Sequence, residues 1–409
     1  MLLAPWQRCD ARDLTLAEAR ALLVRNNREL QAARRGVESA GAQVLIAGAR
    51  PNATFSVNSS SISNDPGIGG GGISQKRIDT VLRLDQPFER GGKRALRRDA
   101  ASDLERAARD DFLDTLRQSL AALQGAYFDL KQAQEKADAL AENAALFAGT
   151  LAAAQRREQA GDLAPAEVAK VQVDYERAQN DARGAAAELA RAQLALAYMI
   201  GAEADAAELR AADPWPPPER AEPASVEQAI EARPDVVAAR ERVQAAGKLR
   251  DLARAQRTRD VTVGAQVERF PGSLPANSVG FGVAIPIFTG YDFAGDIEKA
   301  EVERYAALDA LARVRALAGN ELRRAAGDLN AAAERVERFD RSLLAAADRS
   351  AEASEFAFRR GAISVLEVLD ARRTRRAVRL EALAARNDYA RALAAWRAAQ
   401  ASADSLAAR

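Results

Sequence analysis

The stretch LDQPFERGGK (Leu84–Lys93) recurs in altered form as VAIPIFTGYD (Val283–Asp292). One proline and one glycine keep their places in the two stretches: Pro87 with Pro286, and Gly91 with Gly290. Two further pairs recur in the same order: QAARRGVESAG (31–41) with VAARERVQAAG (237–247), and GDLAPAEV (161–168) with GAISVLEV (361–368). Three ordered matches predict two tandem copies of a unit of roughly 200 residues. We therefore divide the chain into a first copy (1–210), a Pro-rich connector (211–224) and a second copy (225–409).

Each copy contains two segments with strand character, of about ten residues each. We predict strands at 53–62, 77–88, 260–270 and 278–288. Apolar residues alternate with polar or small ones, so that Val261, Val263 and Val267 share one face. Such alternation is typical of membrane β-barrel strands, and also of a half-buried hairpin in a soluble domain. Four strands are too few to close a barrel, whereas three copies of the chain would supply about twelve.

A long helical segment without proline follows each predicted hairpin. These segments run over 93–159 and about 292–360, and each stops before a glycine, Gly161 or Gly361. A short turn follows, at about 160–165 and 360–365, and a second helix returns from Pro165 or Val365. An earlier helix starts at Thr15 with a capping-box glutamate at Glu18, and runs to about residue 50. The sequence thus predicts a mainly α protein with a small β part.

Composition excludes several classes of function. The 59 Lys and Arg residues nearly balance the 58 Asp and Glu residues, and a net charge of +1 does not favour nucleic-acid binding. The chain has no histidine and a single cysteine, Cys9, so imidazole catalysis and His-ligated metals are excluded. The Gly-rich segment GIGGGG (67–72) lacks the Lys-Ser/Thr of a phosphate loop. We therefore expect no enzyme activity, no cofactor and no metal-ligand site.

Nearly the whole chain resembles the TolC family of outer-membrane efflux channels. The resemblance is carried by LTLAEARALLVRNNRELQAAR (14–34), AGDLAPAEV (160–168) and RGAISVLEVLDARR (360–373). LDQPFERGGKRALRRDAA (84–101) and GVAIPIFTGYDFAGDIEKAE (282–301) are most similar to the heavy-metal branch, the cobalt-zinc-cadmium and nickel-cobalt resistance channels.

The resemblance implies a homotrimer with a twelve-stranded β-barrel in outer-membrane lipid, continued by an α-helical barrel across the periplasm. It also implies a passive conduit that meets a periplasmic adaptor (membrane fusion) protein and, through it, a proton-driven inner-membrane pump of the resistance–nodulation–division (RND) type. The expected location is the outer membrane of a Gram-negative bacterium. The expected cargo is divalent heavy-metal cations.

The same resemblance suggests roles for individual residues at the ends of the helical hairpins. Glu367 and Asp370 match an acidic pattern at the periplasmic entrance, where a trimer would form carboxylate rings, and Glu167 matches an acidic gate residue. Because Glu367 and Asp370 are three residues apart, they lie on one helix face. The alternative is that both are solvated carboxylates paired with Arg372 or Arg373. The family's aromatic and basic latch partners are replaced here by Phe358 and Ile363, so the alternatives are a different lock, using Arg359 or Arg360, or no lock at all.

Two further sets of residues are candidates for adaptor docking and for the junction between strand and helix. The candidates for adaptor docking are Gly161, Leu163, Gly361 and Ile363, which equally suit a plain helix–turn–helix. The candidates for the junction between strand and helix are Pro87, Gly91, Gly92, Pro286 and Gly290.

Alternative functions remain open at the level of the sequence. A channel of the same family that exports drugs or other organic compounds fits the same motifs. A soluble coiled-coil scaffold fits the Ala, Glu and Arg content, but predicts sustained heptads and gives the four alternating strands no role. The first residues, MLLAPWQRCDARD, show neither the apolar region nor the A-x-A site of a signal peptide, and do not settle whether Cys9 is lipidated.

Overall fold

The computed structural model describes residues 12–60, 79–222, 225–270, 276–360 and 362–407. These residues form two compact units. The helical unit lies within Met1–Arg34, Asp111–Val236 and Arg315–Arg409, and the sheet unit within Arg35–Asp110 and Val237–Val314. No helix in the described part of the chain has both the length and the apolar character needed to cross a membrane.

The first half of the chain contains the following elements, in order: β1 (Arg12–Leu14), α1 (Leu16–Asn26), α2 (Arg28–Gly48), β2 (Thr54–Ser60), β3 (Asp79–Phe88), α3 (Lys93–Gln159), α4 (Pro165–Ile200), a 3₁₀ helix (Glu203–Glu208) and β4 (Leu209–Ala211). The second half contains α5 (Val226–Glu231), α6 (Pro234–Ala255), β5 (Val261–Phe270), β6 (Ala276–Ala284), α7 (Ala294–Arg338), a π-helical turn (Phe339–Leu343), α8 (Leu344–Arg359), α9 (Val365–Gln400) and α10 (Ala403–Ala407).

The predicted first helix is divided into α1 and α2. The capping box at its start is present, with the Thr15 side chain accepting from the Glu18 N–H and the Glu18 carboxylate accepting from the Thr15 N–H. The division lies at Asn27, whose side-chain oxygen accepts from the N–H groups of Glu29 and Leu30 at 3.0 and 3.1 Å. Asn27 therefore acts as the N-cap of α2, because its side chain satisfies N–H groups that have no partner in the first turn of a helix.

The long helix predicted over about 292–360 is also interrupted. It begins at Ala294 and changes to a π-helical turn at Phe339–Leu343 before α8 continues to Arg359. A π-turn adds a residue to one helical turn and shifts which side chains face the core. Phe339, the first residue of this turn, is buried against α9 together with Leu329 and Leu393. Its counterpart α3 has no such interruption.

The sheet unit contains one antiparallel four-stranded sheet, ordered β2-β3-β5-β6. Strands β3 and β5, one from each half of the chain, pair directly, with Leu84 opposite Ala265 and Pro87 opposite Thr262. Strand β6 ends at Ala284, four residues before the predicted end. Pro286 lacks an N–H and cannot donate to a ladder, which is consistent with the early end of this strand.

The connector is held by two buried tyrosines of the helical unit. The Tyr127 hydroxyl donates to the Leu14 carbonyl at 2.8 Å and accepts from the Asp213 N–H at 3.0 Å. The Tyr389 hydroxyl donates to the Pro217 carbonyl at 2.7 Å and accepts from the Glu219 N–H at 2.7 Å. Both rings lie in the core.

A short parallel pairing of β1 with β4 lies beside the connector, and the sequence pattern did not indicate it. Strands of three residues are too short to show a clear alternation of apolar and polar side chains.

Candidate functional site

The turn between α3 and α4, which we call the first tip, ends α3 with a Schellman motif. Gly161 has φ of +84°, its N–H donates to the Glu158 carbonyl at 2.9 Å, and the Asp162 N–H donates to the Arg157 carbonyl at 2.8 Å. Leu163 is half-buried and packs with Ala154, Val168 and Val171. Gly161 itself is exposed. The architectural role expected for Gly161 and Leu163 is therefore present in the structure.

The turn between α8 and α9, the second tip, has the same hydrogen bond from Ala362 N–H to the Ala357 carbonyl, at 3.0 Å. Ile363 is half-buried, and Gly361 lies outside the described residues. Helix α9 begins with a capping box: the Ser364 side chain accepts from the Glu367 N–H, and the Glu367 carboxylate accepts from the Ser364 N–H at 3.2 Å. Glu367 thus stabilises the start of its helix, while its side chain stays exposed.

The three acidic candidates are exposed, and they differ in their surroundings. Helix α4 begins after Ala164, which supplies no side-chain cap, so Glu167 has no capping box. Neither Glu167 nor Asp370 has an ion-pair partner among the described residues. The arginines considered as their partners bind elsewhere: Arg372 pairs with Glu355 at 3.0 Å, and Arg373 pairs with Asp174.

Two ion pairs join α9 to α4, and sequence reasoning missed them. Arg373 Nη2 lies 2.7 Å from both carboxylate oxygens of Asp174, and Arg376 Nη1 lies 3.4 Å from Asp181 Oδ2. The Asp174 side chain is 13% exposed, so this pair is only partly screened by water. A signal for these pairs existed, because two arginines three apart on α9 and two aspartates seven apart on α4 each share a helix face.

A second set of arginines on α9 pairs with α8 of its own hairpin. Arg375 and Arg379 both bind Asp348 Oδ1, at 2.7 and 2.9 Å. The arginines of α9 near the second tip are therefore largely neutralised by neighbouring carboxylates. The tips carry the carboxylates of Asp370, Glu167 and the capping Glu367 together with basic residues: Arg156, Arg157 and Lys170 at the first tip, and Arg359 and Arg360 at the second.

The first junction between strand and helix contains two left-handed glycines. Gly91 and Gly92 have φ of +71° and +72°, and α3 begins at the next residue, Lys93. The buried Lys93 ammonium donates to Asp260 Oδ1 at 2.9 Å, and so does the Arg90 N–H. Burial opposes ionisation of Asp260, but these two hydrogen bonds outweigh it and hold the pKa of Asp260 below its ordinary value. The junction is thus stabilised by an ion pair between a buried lysine and a partly exposed aspartate.

The second junction is built differently. Gly290 is not left-handed, and the positive φ lies instead at Phe293, at +65°, one residue before α7. The ring of Phe293 packs edge-on against Phe288, with centroids 5.0 Å apart, and α7 is capped by the Asp292 side chain, which accepts from the Ala294 N–H. Pro286 lies between β6 and α7 without strand or helix geometry. The predicted equivalence of Gly91 and Gly290 therefore does not extend to their backbone conformations.

The sheet has one apolar and one polar face, and the apolar face is open. Its large side chains include Phe281, 85% exposed, and Val279, 68% exposed, together with Phe55, Val57, Leu84, Val267 and Val283. Strands β2 and β6 each have a neighbour on one side only within the described sheet. Exposed apolar area of this extent, next to unpaired strand edges, indicates a surface that is covered by lipid or protein. Among the described residues, no group of three or more His, Cys, Asp or Glu side chains is arranged to hold a metal ion.

The family described as outer membrane efflux protein matches residues 20–202 and 225–402. The chain belongs to this family. Its members are channel proteins of the Gram-negative outer membrane, not enzymes, and the resemblance to TolC-like channels is confirmed.

Two relatives of this outer membrane efflux protein are similar over most of their length. Protein CyaE of Bordetella pertussis is 29% identical, over 78% of this chain and 70% of the relative. The cobalt-zinc-cadmium resistance protein CzcC of Cupriavidus metallidurans is 25% identical, over 88% of this chain and 84% of the relative, which supports the resemblance to the heavy-metal branch. The fold is similar to that of the Campylobacter jejuni CmeC outer membrane channel, with a TM-score of 0.80 and 17% identity over 97% of this chain and 90% of that one.

Proposed function

We propose that this chain is the outer-membrane conduit of a tripartite efflux system and works as a homotrimer. The observation that carries the proposal is the four-stranded sheet with an exposed apolar face and open edges at β2 and β6. Edge pairing between three copies would give twelve strands, satisfy the edge N–H and C=O groups, and turn the apolar face to lipid. The helices of the helical unit would continue the passage across the periplasm as an α-helical barrel.

The decisive experiment measures the mass of the purified protein and the current through single channels. Detergent-purified protein is sized by light scattering and then inserted into a planar bilayer under a salt gradient. We expect a mass three times that of the 43.8 kDa chain and discrete, cation-preferring current steps. A monomer that stays dispersed without detergent would refute the channel and favour the coiled-coil scaffold.

The proposed selectivity of the entrance rests on the acidic residues at the tips. In a trimer, Asp370, Glu167 and Glu367 would each contribute three carboxylates, and rings of carboxylates attract cations. The substitution Glu367→Gln keeps an oxygen acceptor for the Ser364 N–H, so it removes charge without removing the cap. We expect Glu367→Gln with Asp370→Asn to lower cation preference. An unchanged reversal potential would exclude the acidic ring.

The proposed gate is held by the ion pairs between α9 and α4. The Arg373–Asp174 contact is the closer of the two, because Arg373 Nη2 lies 2.7 Å from both carboxylate oxygens, whereas Arg376 Nη1 lies 3.4 Å from Asp181 Oδ2. We expect Asp174→Asn to raise the open probability of single channels. Asp348→Asn is the matched control, because it removes ion pairs between α9 and α8 within one hairpin.

The two tips are the proposed docking surface for a periplasmic adaptor, which would link the channel to an inner-membrane RND pump. Gly161 and Ala362 are exposed at the turns, and Leu163 and Ile363 are half-buried beside them. Leu163→Asp is expected to abolish binding of the cognate adaptor to the purified trimer. Val173→Asp, at an exposed position further along α4, serves as the control.

The proposed cargo is divalent heavy-metal cations. Two observations support this proposal: the similarity to CzcC, whose name states cobalt-zinc-cadmium resistance, and the acidic residues at the tips. The alternative is a channel of the same family for organic compounds, and the similarity to CyaE, which carries no metal in its name, keeps this alternative open. Deletion of the gene separates the two. Lost tolerance to zinc, cobalt, nickel or cadmium supports metal export, whereas lost tolerance to detergents alone supports the alternative.

A further inference from the structure

The polar face of the sheet carries a connected set of charged and amide side chains at its centre. Arg83 Nε donates to Asp85 Oδ2 at 2.7 Å, and Arg83 Nη1 donates to Gln266 Oε1 at 3.0 Å. Gln266 in turn donates to Glu268, which also accepts from the Ser278 hydroxyl at 2.9 Å. These side chains, Arg83, Asp85, Gln266, Glu268 and Ser278, come from three neighbouring strands and form what we call the sheet network.

The sheet network lies flat on the sheet because three glycines lie beneath or beside it: Gly264, Gly280 and Gly282. Gly264 is directly opposite Asp85 in the ladder. A Cβ at Gly264 would lie 2.2 Å from Asp85 Oδ1 and 2.9 Å from Arg83 Nη2, closer than real Cβ contacts allow. Asp85 Oδ1 is buried there and has no hydrogen-bond partner within the described structure. The ion pair therefore occupies space that only a glycine leaves free.

Charge is not balanced within the sheet network. Asp85 neutralises Arg83 through a direct ion pair. The Glu268 carboxylate receives hydrogen bonds only from the neutral side chains of Gln266 and Ser278, and no Lys or Arg of the described residues lies within ion-pair distance of it. Within the sheet network, each chain thus has one carboxylate, that of Glu268, without a charged partner among the described residues.

We infer that the sheet network is a second cation-selective element, separate from the tips, with Glu268 as the residue that sets selectivity and Gly264 as a positioning residue. This inference rests on the proposed channel, in which the polar face borders the lumen. Three Glu268 carboxylates would then face the passage, and hydrated cations would concentrate beside them without direct ligation. The space left by Gly264 allows Arg83 to bind Asp85 close to the sheet. The positive charge of Arg83 then does not project into the passage, where it would offset the negative charge of Glu268.

The role of the Glu268 charge is tested in protein that already carries Glu367→Gln and Asp370→Asn. In this background two of the three proposed tip carboxylates are replaced by neutral amides. We expect Glu268→Gln to lower the cation-to-anion permeability ratio about twofold or more, the effect of a unit charge about 8 Å away in water. Glu268→Asp keeps the charge and should restore the ratio. An unchanged ratio in Glu268→Gln channels that still conduct overturns this inference and leaves the channel proposal intact. Absence of current from both the inserted wild-type protein and the Asp174→Asn variant overturns both.

The positioning role of Gly264 is tested by alanine substitutions at two glycines, Gly264 on β5 and Gly282 on β6, which are directly opposite each other. Gly264→Ala places a Cβ against the ion pair, whereas Gly282→Ala places one 3.7 Å from Arg83 Nη2, an ordinary contact. We expect Gly264→Ala to lower the permeability ratio in the same direction as Glu268→Gln, and Gly282→Ala to leave it unchanged. Equal ratios in the two variants would overturn the positioning role. If Gly264→Ala fails to assemble, the Glu268 variants still decide the inference.

Discussion

Gly91 and Gly92 have nearly the same backbone geometry but different surroundings. Both are left-handed, with φ of +71° and +72°. A Cβ at Gly91 would lie 2.8 Å from both Cβ and Oγ1 of Thr258, whereas a Cβ at Gly92 has no atom within 4 Å. The pair therefore separates backbone strain from steric overlap at the junction between β3 and α3.

We expect Gly92→Ala to lower the stability of the protein by about 1–2 kcal/mol, the ordinary cost of a left-handed non-glycine residue. In Gly91→Ala the same backbone cost applies, and the new Cβ must in addition displace the Thr258 side chain. We therefore expect a clearly larger loss of stability in Gly91→Ala than in Gly92→Ala. Thermal unfolding of both variants in the same detergent measures the difference. Equal losses would mean that Thr258 moves aside without cost.

Tyr127 makes stability depend on alkaline pH. Burial raises the pKa of Tyr127 to about 12, against 10.0 for an ordinary tyrosine. Below pH 10 the Tyr127 phenol is protonated in both the folded and the unfolded protein, so its full contribution to the stability of the folded state is present. Between about pH 10 and 12 only the unfolded state loses the proton, so stability falls as the pH rises through that range.

Tyr127→Phe should remove this part of the alkaline loss. It should also lower stability at neutral pH by about 1–3 kcal/mol, because the Asp213 N–H loses the hydroxyl that accepts from it, and the buried Leu14 carbonyl keeps only the Ala212 N–H. Unfolding midpoints measured from pH 8 to 12 check both effects. Tyr198→Phe, at a tyrosine that is 58% exposed, is the control, and an alkaline loss of wild-type size in Tyr127→Phe would contradict the assignment.

At the scale of elements, the two hairpins differ at the start of their returning helices. Helix α9 has the Ser364–Glu367 capping box, whereas α4 follows Ala164 and has no side-chain cap. Glu167 nevertheless stands three residues after Ala164, the position that a capping box requires. The first tip therefore lacks only the hydroxyl.

We expect Ala164→Ser to complete this box and to stabilise the first turn of α4 by about 1 kcal/mol. Hydrogen exchange of the amides of residues 164 and 166–168 is the measurement, because opening of a tip is local and global unfolding would not report it. In the Glu167→Ala background the gain should shrink, since the reciprocal bond is lost. Unchanged protection in Ala164→Ser would show that the turn does not accept the cap.

At the scale of the whole molecule, adjacent residues of β2 face opposite sides of the sheet. Val57 belongs to the exposed apolar face, and Asn58 belongs to the polar face. If three sheets close into a barrel, lipid meets Val57 and the lumen meets Asn58. Identical substitutions at these two positions therefore test the assembly as a whole.

We expect Val57→Lys to prevent or strongly reduce assembly, because a lysine on the lipid face of a barrel costs about 2–4 kcal/mol near the bilayer midplane. Asn58→Lys should assemble normally and alter only conduction. The measurement is the fraction of each variant recovered as an oligomer from outer membranes. Equal recovery of both variants would contradict the barrel.

Local signals in the sequence determined most of the helix limits. The span of α3, Lys93–Gln159, and the capping box of Thr15 and Glu18 match the sequence prediction, because caps, prolines and glycines act within one helical turn. Alternation identified the strand segments and their apolar faces, since the period of two is a property of the strand alone. The family resemblance also followed from ordered motifs within the chain and is shown by the comparison with known proteins.

Contacts between distant residues were decided only by the tertiary structure. The Arg373–Asp174 pair, the capping Asn27, the burial of Phe339 in a π-turn, and the position of Asp85 over Gly264 each depend on which elements become neighbours. At the second junction the left-handed backbone lies at Phe293 rather than at Gly290, and the Phe293 ring packs edge-on against Phe288. Sequence patterns repeat at 2 or 3.6 residues and specify a face. What that face meets is set by packing across the fold.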